Sequence, residues 1–188
     1  MQFILNTVII AITLQSMTLS MQNTNHILFD FDSKKTTGKW NIVNDGVMGG
    51  KSESRFETSK DGIATFSGTL SPDNNGGFAS VRGTIENELE QGLEGVIVKV
   101  KGDGLKYNIR FRTSSSFDGY AYQAKIETEK DTWKEFKIPF SDFTPTFRGR
   151  TLSNKPALES QNIAQIGVLI ADYQFGEFSL DIDWIEFF

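Results

Sequence analysis

The sequence predicts an all-β protein, an antiparallel β-sandwich of jelly-roll type, on three observations. Sixteen Phe, three Trp and four Tyr stand beside 17 Gly in 188 residues, a composition suited to short strands joined by tight turns. From Leu28 onward, short segments alternate apolar and polar residues with period two between glycine and asparagine turns, the signature of half-buried strands. Beyond the N-terminal stretch, no window of twelve or more residues carries a sustained i, i+3, i+4, i+7 apolar stripe, so helices contribute little.

Taken in chain order, a first strand carries Asp30 and Asp32, and further strands are read at 64–70 and 78–85. Val96, Val98 and Val100 alternate with Ile97, Lys99 and Lys101 before Gly102-Asp103-Gly104; Tyr107, Ile109 and Phe111 then alternate with Asn108, Arg110 and Arg112. Two alternating runs around a glycine turn read as a β-hairpin. Strands follow at 120–127, 133–138, 163–171 and 177–187, with the one place for a short helix at 157–163, beyond Pro156. Phe178, Leu180, Ile182 and Trp184 fall on one face of the last strand, which is therefore expected to pack. No repeat or linker divides the chain, and residues 21–188 are read as a single domain.

Residues 1–27 contain no Asp, Glu, Lys or Arg, and the run from Phe3 to Leu14 is mostly apolar. Residues 1–20 are read as a secretory signal peptide or apolar leader. It lacks the usual basic start and is shorter than the roughly 20 apolar residues of a membrane span. A short anchor, or a start at Met17 or Met21, are the alternatives. Cleavage of a signal would place the domain in the periplasm or cell envelope; without one it would be cytoplasmic, in either case with no spanning segment in the mature domain.

Charge and side-chain chemistry exclude more than they assign. The 24 acidic and 19 basic residues leave a net −5, with no Cys and one His. This rules out disulfides, thiol nucleophiles, Cys-ligated zinc and multi-histidine metal centres, and no basic cluster is available for nucleic acid. No metal site is expected: Asp172, Asp181 and Asp183 follow no calcium-loop spacing. Gly46-Val47-Met48-Gly49-Gly50-Lys51-Ser52 ends like a phosphate-binding loop, but Asp45 stands where the first glycine is required. It reads instead as a turn in which Asp45 or Asn44 hydrogen-bonds nearby backbone. No dinucleotide fingerprint occurs, so neither nucleotide nor cofactor is expected.

Asn74-Asn75-Gly76-Gly77 feeds a strand on which Phe78, Ser80 and Arg82 share one face, with Ala79 and Val81 on the other. Arg110 and Arg112 follow the same pattern, as does Gln123 between Tyr122 and Ala124. Side by side, these strands would line one concave polar surface whose guanidinium groups and rings suit sugars, carboxylates or a partner's polar strand. Alternatively, the arginines pair with carboxylates across the sheet and serve structure alone.

These motifs carry a resemblance. Trp40 with the 44–52 segment, Phe66-Ser67-Gly68, the 74–82 segment, Gly92-Leu93-Glu94-Gly95 and Lys101-Gly102-Asp103-Gly104 resemble the complex I intermediate-associated protein 30 family. The succession continues through Trp133, Phe136, Ile138-Pro139-Phe140, Phe143, Pro145, Arg148-Gly149-Arg150, Ile166-Gly167, Gly176-Glu177-Phe178 and Leu180-Asp181-Ile182, covering about 29–187. The resemblance implies a galactose-binding domain-like sandwich. It also implies an assembly-factor role, since mitochondrial members associate with partly built respiratory complex I, and it brings no catalytic residues. The chain departs from those members in lacking an Arg-rich presequence and an extra domain.

The expected function is therefore a non-enzymatic protein-binding or assembly module, its partner a respiratory-complex assembly intermediate; the alternative is a carbohydrate-binding module of the cell envelope. Candidate contacts are Asp45, Asn75, Arg82, Arg112, Tyr122 and Arg148, with Tyr122 or another exposed ring expected to stack on a sugar in the carbohydrate-binding alternative.

Overall fold

A computed structural model describes residues 26–31, 39–116 and 118–188; the leader read at 1–20 lies outside them. The strands are β1 (His26–Asp30), β2 (Trp40–Ile42), β3 (Glu53–Thr58), β4 (Ala64–Leu70), β5 (Ala79–Thr84), β6 (Gly95–Lys101) and β7 (Lys106–Arg112). They continue as β8 (Ala121–Glu127), β9 (Trp133–Pro139), β10 (Thr144–Phe147), β11 (Arg150–Thr151), β12 (Gln165–Ile170) and β13 (Gly176–Phe187). They form two antiparallel sheets, β3-β4-β13-β6-β9 with β1 also on β13, and β11-β10-β8-β7-β12-β5-β2. The core lies between them, and the Phe111 ring of one sheet stands 5.7 Å from the Phe187 ring of the other.

Alternation decides which residues enter that core. Val96, Val98 and Val100 are buried on β6, as are Tyr107, Ile109 and Phe111 on β7, each large apolar side chain contributing about 1.5–3 kcal/mol. The two strands are nevertheless not a hairpin. β6 lies between β13 and β9, whereas β7 lies between β8 and β12 in the opposite sheet. Alternation around a turn fits both arrangements, because each requires one apolar face per strand. Here the chain crosses the sandwich at 102–105, and tertiary contacts hold the crossing. The Asp103 carboxylate accepts hydrogen bonds from Leu105 N (3.0 Å), the Tyr107 hydroxyl (3.0 Å) and Ser179 N (2.7 Å). A side chain at Gly102 would run into Thr128.

β13 departs from simple alternation. Its pairing with β6 shifts register between Ile182 and Trp184. This bulge moves the buried positions from Phe178, Leu180 and Ile182 to Ile185 and Phe187, leaving Trp184 out of phase with the core. The expected helix at 157–163 is one 3-10 turn, Ser160–Asn162, because the core takes Leu158 and Ile163 from either side of it. At the sheet edge, the Trp40 indole lies over Gly83 in register with it and packs with Phe29, Phe31 and Phe56.

Candidate functional site

Two charged constellations stand out. The first is a loop crossing built around Asp45. A 3-10 turn, Asp45–Met48, closes at Gly49 with φ 89°, which glycine adopts freely. The Asp45 side chain points inward and is fully buried. It accepts hydrogen bonds from Ser52 N (2.9 Å), Ser52 Oγ (2.5 Å), Gly77 N (2.6 Å) and Phe78 N (3.3 Å). Burial pushes its carboxyl up, but the Ser52 hydroxyl and the Gly77, Ser52 and Phe78 amides outweigh this and hold it below the ordinary carboxylate value. A Cβ at Gly50 or Gly76 would lie 2.4 or 2.5 Å from that carboxylate, which explains a glycine in each turn. Asn44 Oδ1 accepts from Ser54 Oγ at 2.8 Å, and Asn74 donates to Gly49 O at 2.9 Å, completing the clamp.

Exposed apolar residues lie on the clamp and on the turn beside it. Val47 and Met48 are 59% and 61% exposed in one loop, and Tyr173 and Phe175 are 87% and 44% exposed in the β12–β13 turn. The Phe175 ring lies against Gly77, where a Cβ would come within 2.9 Å of it, so the two turns meet at the clamp. Both Asp172 and Tyr173 hold positive φ, an unfavourable conformation for these residues outside a tight turn.

The second constellation is a row across the outer face of the β7–β12–β5 sheet. Register sets Arg82 beside Gly167 and Gly167 beside Arg110, so two arginines flank a strand position without a side chain. Arg112, two residues from Arg110 on the same face, lies beside Gln165. Ser80, Arg82, Arg110, Arg112, Gln165 and Gly167 line one shallow pocket. Burial pushes Arg82 down to about 10, helped by Arg112 and opposed by Asp118. Burial likewise brings Arg110 to about 10, with Arg112 and Arg82 both adding repulsion. Arg112 is lowered by burial against the pull of Asp118. All three remain cationic at neutral pH. Arg112 donates to Gly119 O at 2.7 Å, while the buried Arg110 Nε and Gln165 Oε1 have no protein partner.

The predicted residues therefore divide into three groups. Arg82 and Arg112 share the polar face, and Arg148 ion-pairs at 3.4 Å with Asp118, the acid that acts on both. Asp45 and Asn75 belong to the loop crossing, where Asn75 is exposed but Asp45 is a buried organiser with no surface to offer a partner. Tyr122 is 1% exposed in the core, its hydroxyl donating to Pro156 O at 2.9 Å, so it cannot stack on a sugar. Its phase with Ala124 and Ile126 along β8 explains the burial. Arg110, expected on the polar face but not among the candidate contacts, belongs with Arg82 and Arg112, and the exposed Val47, Met48, Tyr173 and Phe175 carry no expectation from the sequence. Two large apolar residues between turn glycines, Gly46 and Gly49, were the available clue. Directly across the ladder, Arg82 and Arg110 both face Gly167, Arg110 also faces Gln123, and Arg112 faces Gln165, while the Asp118 carboxylate attracts Arg82 and Arg112 from outside the strands.

A family model described as complex I intermediate-associated protein 30 matches residues 29–182. The chain belongs to the complex I intermediate-associated protein 30 family. Relatives of that family include "Complex I intermediate-associated protein 30, mitochondrial" of Mus musculus, 29% identical over 182 residues, 86% of this chain and 56% of the relative. The protein of the same name in Drosophila melanogaster is 28% identical over 181 residues, 85% of this chain and 61% of the relative. The chain thus spans little more than half the length of these relatives. Among solved structures, the family 11 carbohydrate-binding module of the cellulase Lic26A-Cel5E of Clostridium thermocellum superposes with a TM-score of 0.63 at 19% identity. That likeness covers 86% of this chain and 93% of the module, and it is a likeness of fold. The mitochondrial relatives overturn the expectation of export to a periplasm or cell envelope. An uncharged apolar run without a basic start was too weak a feature to define a secretory route.

Proposed function

We propose that this chain is a non-enzymatic protein-binding module, one β-sandwich domain over 21–188, that docks on an assembly intermediate of respiratory complex I. The observation that carries the reading is the exposure of Val47 and Met48 on a loop clamped by a buried carboxylate, and of Tyr173 and Phe175 on the turn whose Phe175 ring lies against Gly77 of that clamp. Rigid turns present large apolar side chains at little conformational cost, and such anchors dominate protein interfaces. The names of the mouse and fly relatives supply the kind of partner. Family membership brings no catalytic residues, and the arginine row holds no paired base or nucleophile.

The test is native purification of the full chain from its own cells, with complex I subunits followed by immunoblot. The wild type should co-migrate with a complex I subassembly. A Met48→Ala, Tyr173→Ala double variant should melt at the same temperature and lose at least about tenfold of that association. Wild-type chain free of complex I subunits would refute the reading.

A further inference from the structure

We infer that the lane between Arg82, Gly167 and Arg110, closed at one end by Arg112, is a receptor for an acidic side chain of a partner protein's peptide segment. The inference rests on the protein-binding reading and names the chemistry that this face selects.

The geometry begins with Gly167. Strands lie about 4.8 Å apart, so Arg82 and Arg110 have Cα positions roughly 10 Å apart across the sheet, with no side chain between them at the shared register position. A Cβ at Gly167 would lie 2.6 Å from Val81 O and 3.5 Å from Arg82 Cγ. The bare position thus gives the Arg82 stem its path along the sheet toward Arg110. Arg112 adds a third guanidinium about 7 Å along the β7 strand from Arg110.

Charges gathered in this way need a counter-anion, and the opposite sheet shows how the protein supplies one when a face is merely structural. There Lys99 meets Asp183 and Lys101 meets Asp181, each at 2.9 Å across neighbouring strands. On the arginine face, among the described residues, Asp118 attracts Arg82 and Arg112, and it is two-thirds exposed and shared with Arg148. Among the described residues, the charges that act on Arg110 are Arg112 and Arg82, both repulsive. Arg110 Nε remains a buried donor without an acceptor, an arrangement that costs stability unless a ligand completes it.

The same face selects the ligand's form. Gln165 Oε1 and Asn108 Oδ1 are buried acceptors without donors, Asn108 being 3% exposed and two residues from Arg110 on the same face. A ligand that satisfies the face brings a planar anion for the guanidinium forks and N–H donors for the orphaned oxygens. A peptide carrying Asp or Glu brings both, whereas a phosphate dianion brings only acceptors.

The test titrates the full-length chain with hexaglutamate, hexaglutamine and inorganic phosphate, following the Arg110 Nε–Hε resonance by NMR and binding by calorimetry. Hexaglutamate should shift that resonance saturably and bind at least about tenfold more tightly than the other two probes. Arg110→Gln should weaken hexaglutamate binding at least about tenfold while the melting temperature holds or rises, because a repelled, unpartnered cation is removed. Arg110→Lys, which keeps the charge without the planar fork, should bind with intermediate strength. The proposal is overturned if phosphate binds as tightly as hexaglutamate, if the resonance does not move, or if Arg110→Gln melts lower, which would make Arg110 structural. Loss of peptide binding with intact complex I association would remove this inference and leave the docking reading standing.

Discussion

The Asp45 crossing and the arginine lane are opposite solutions to placing charge inside a small sandwich. Around Asp45, four donors from three neighbouring residues converge on one buried carboxylate and hold it ionised below its ordinary pKa. In the lane, three cations share one face, their pKa values fall, and Arg110 Nε lacks an acceptor. A satisfied charge holds the fold together; a gathered, incompletely satisfied one costs stability and is retained where a ligand completes it. The contrast separates a residue that builds the docking surface from those that would touch its occupant.

The largest effect expected from disturbing this contrast is at the crossing. Asp45→Ala strands the Ser52 and Gly77 amides and should cost about 3–4 kcal/mol in denaturant unfolding. Because the folded-state pKa of Asp45 is depressed, its stabilisation is full above the unfolded carboxylate pKa of about 4 and disappears as pH falls through the folded value. Melting temperature should therefore drop more steeply below about pH 4 in wild type than in Asp45→Asn. An equal slope in both would remove Asp45 from the role assigned to it.

In the lane, Gly167→Ala should cost about 1–3 kcal/mol, since its Cβ meets a backbone carbonyl that cannot swing away. It should also weaken hexaglutamate binding. A variant that unfolds with wild-type stability would show that the strand relaxes and that the lane is not set by Gly167. The smallest effect is expected from Arg148→Ala, because its ion pair with Asp118 is exposed. A change of less than about 0.5 kcal/mol is expected in unfolding, and a larger loss would place Arg148 in the structural group with Asp45.

Much of the site was legible because period two fixes the face on which a side chain lies. Arg82 and Arg112 were placed opposite the Val and Ile positions and are found there. The Asn44-Asp45 segment was read as a hydrogen-bonded turn, which it is. Tyr122, expected as an exposed stacking ring, is buried instead, in phase with Ala124 and Ile126 along β8. The exposed rim was not legible: Tyr173 and Phe175 follow β12 like further core residues, and only the positive-φ turn at Asp172 and Tyr173 turns them outward.

By itself the sequence determined an all-β chain, the approximate positions of most of its strands, the inward face of several of them, the glycine turns and the family. Tertiary structure alone decided which strand neighbours which. Alternation specifies a face with a two-residue period but carries no information about the partner across a hydrogen-bond ladder. Hence β6 and β7, one hairpin by pattern, lie in opposite sheets, held there by Asp103. Likewise Arg82 and Arg110, distant in the chain, flank Gly167 because β12 pairs with both of their strands.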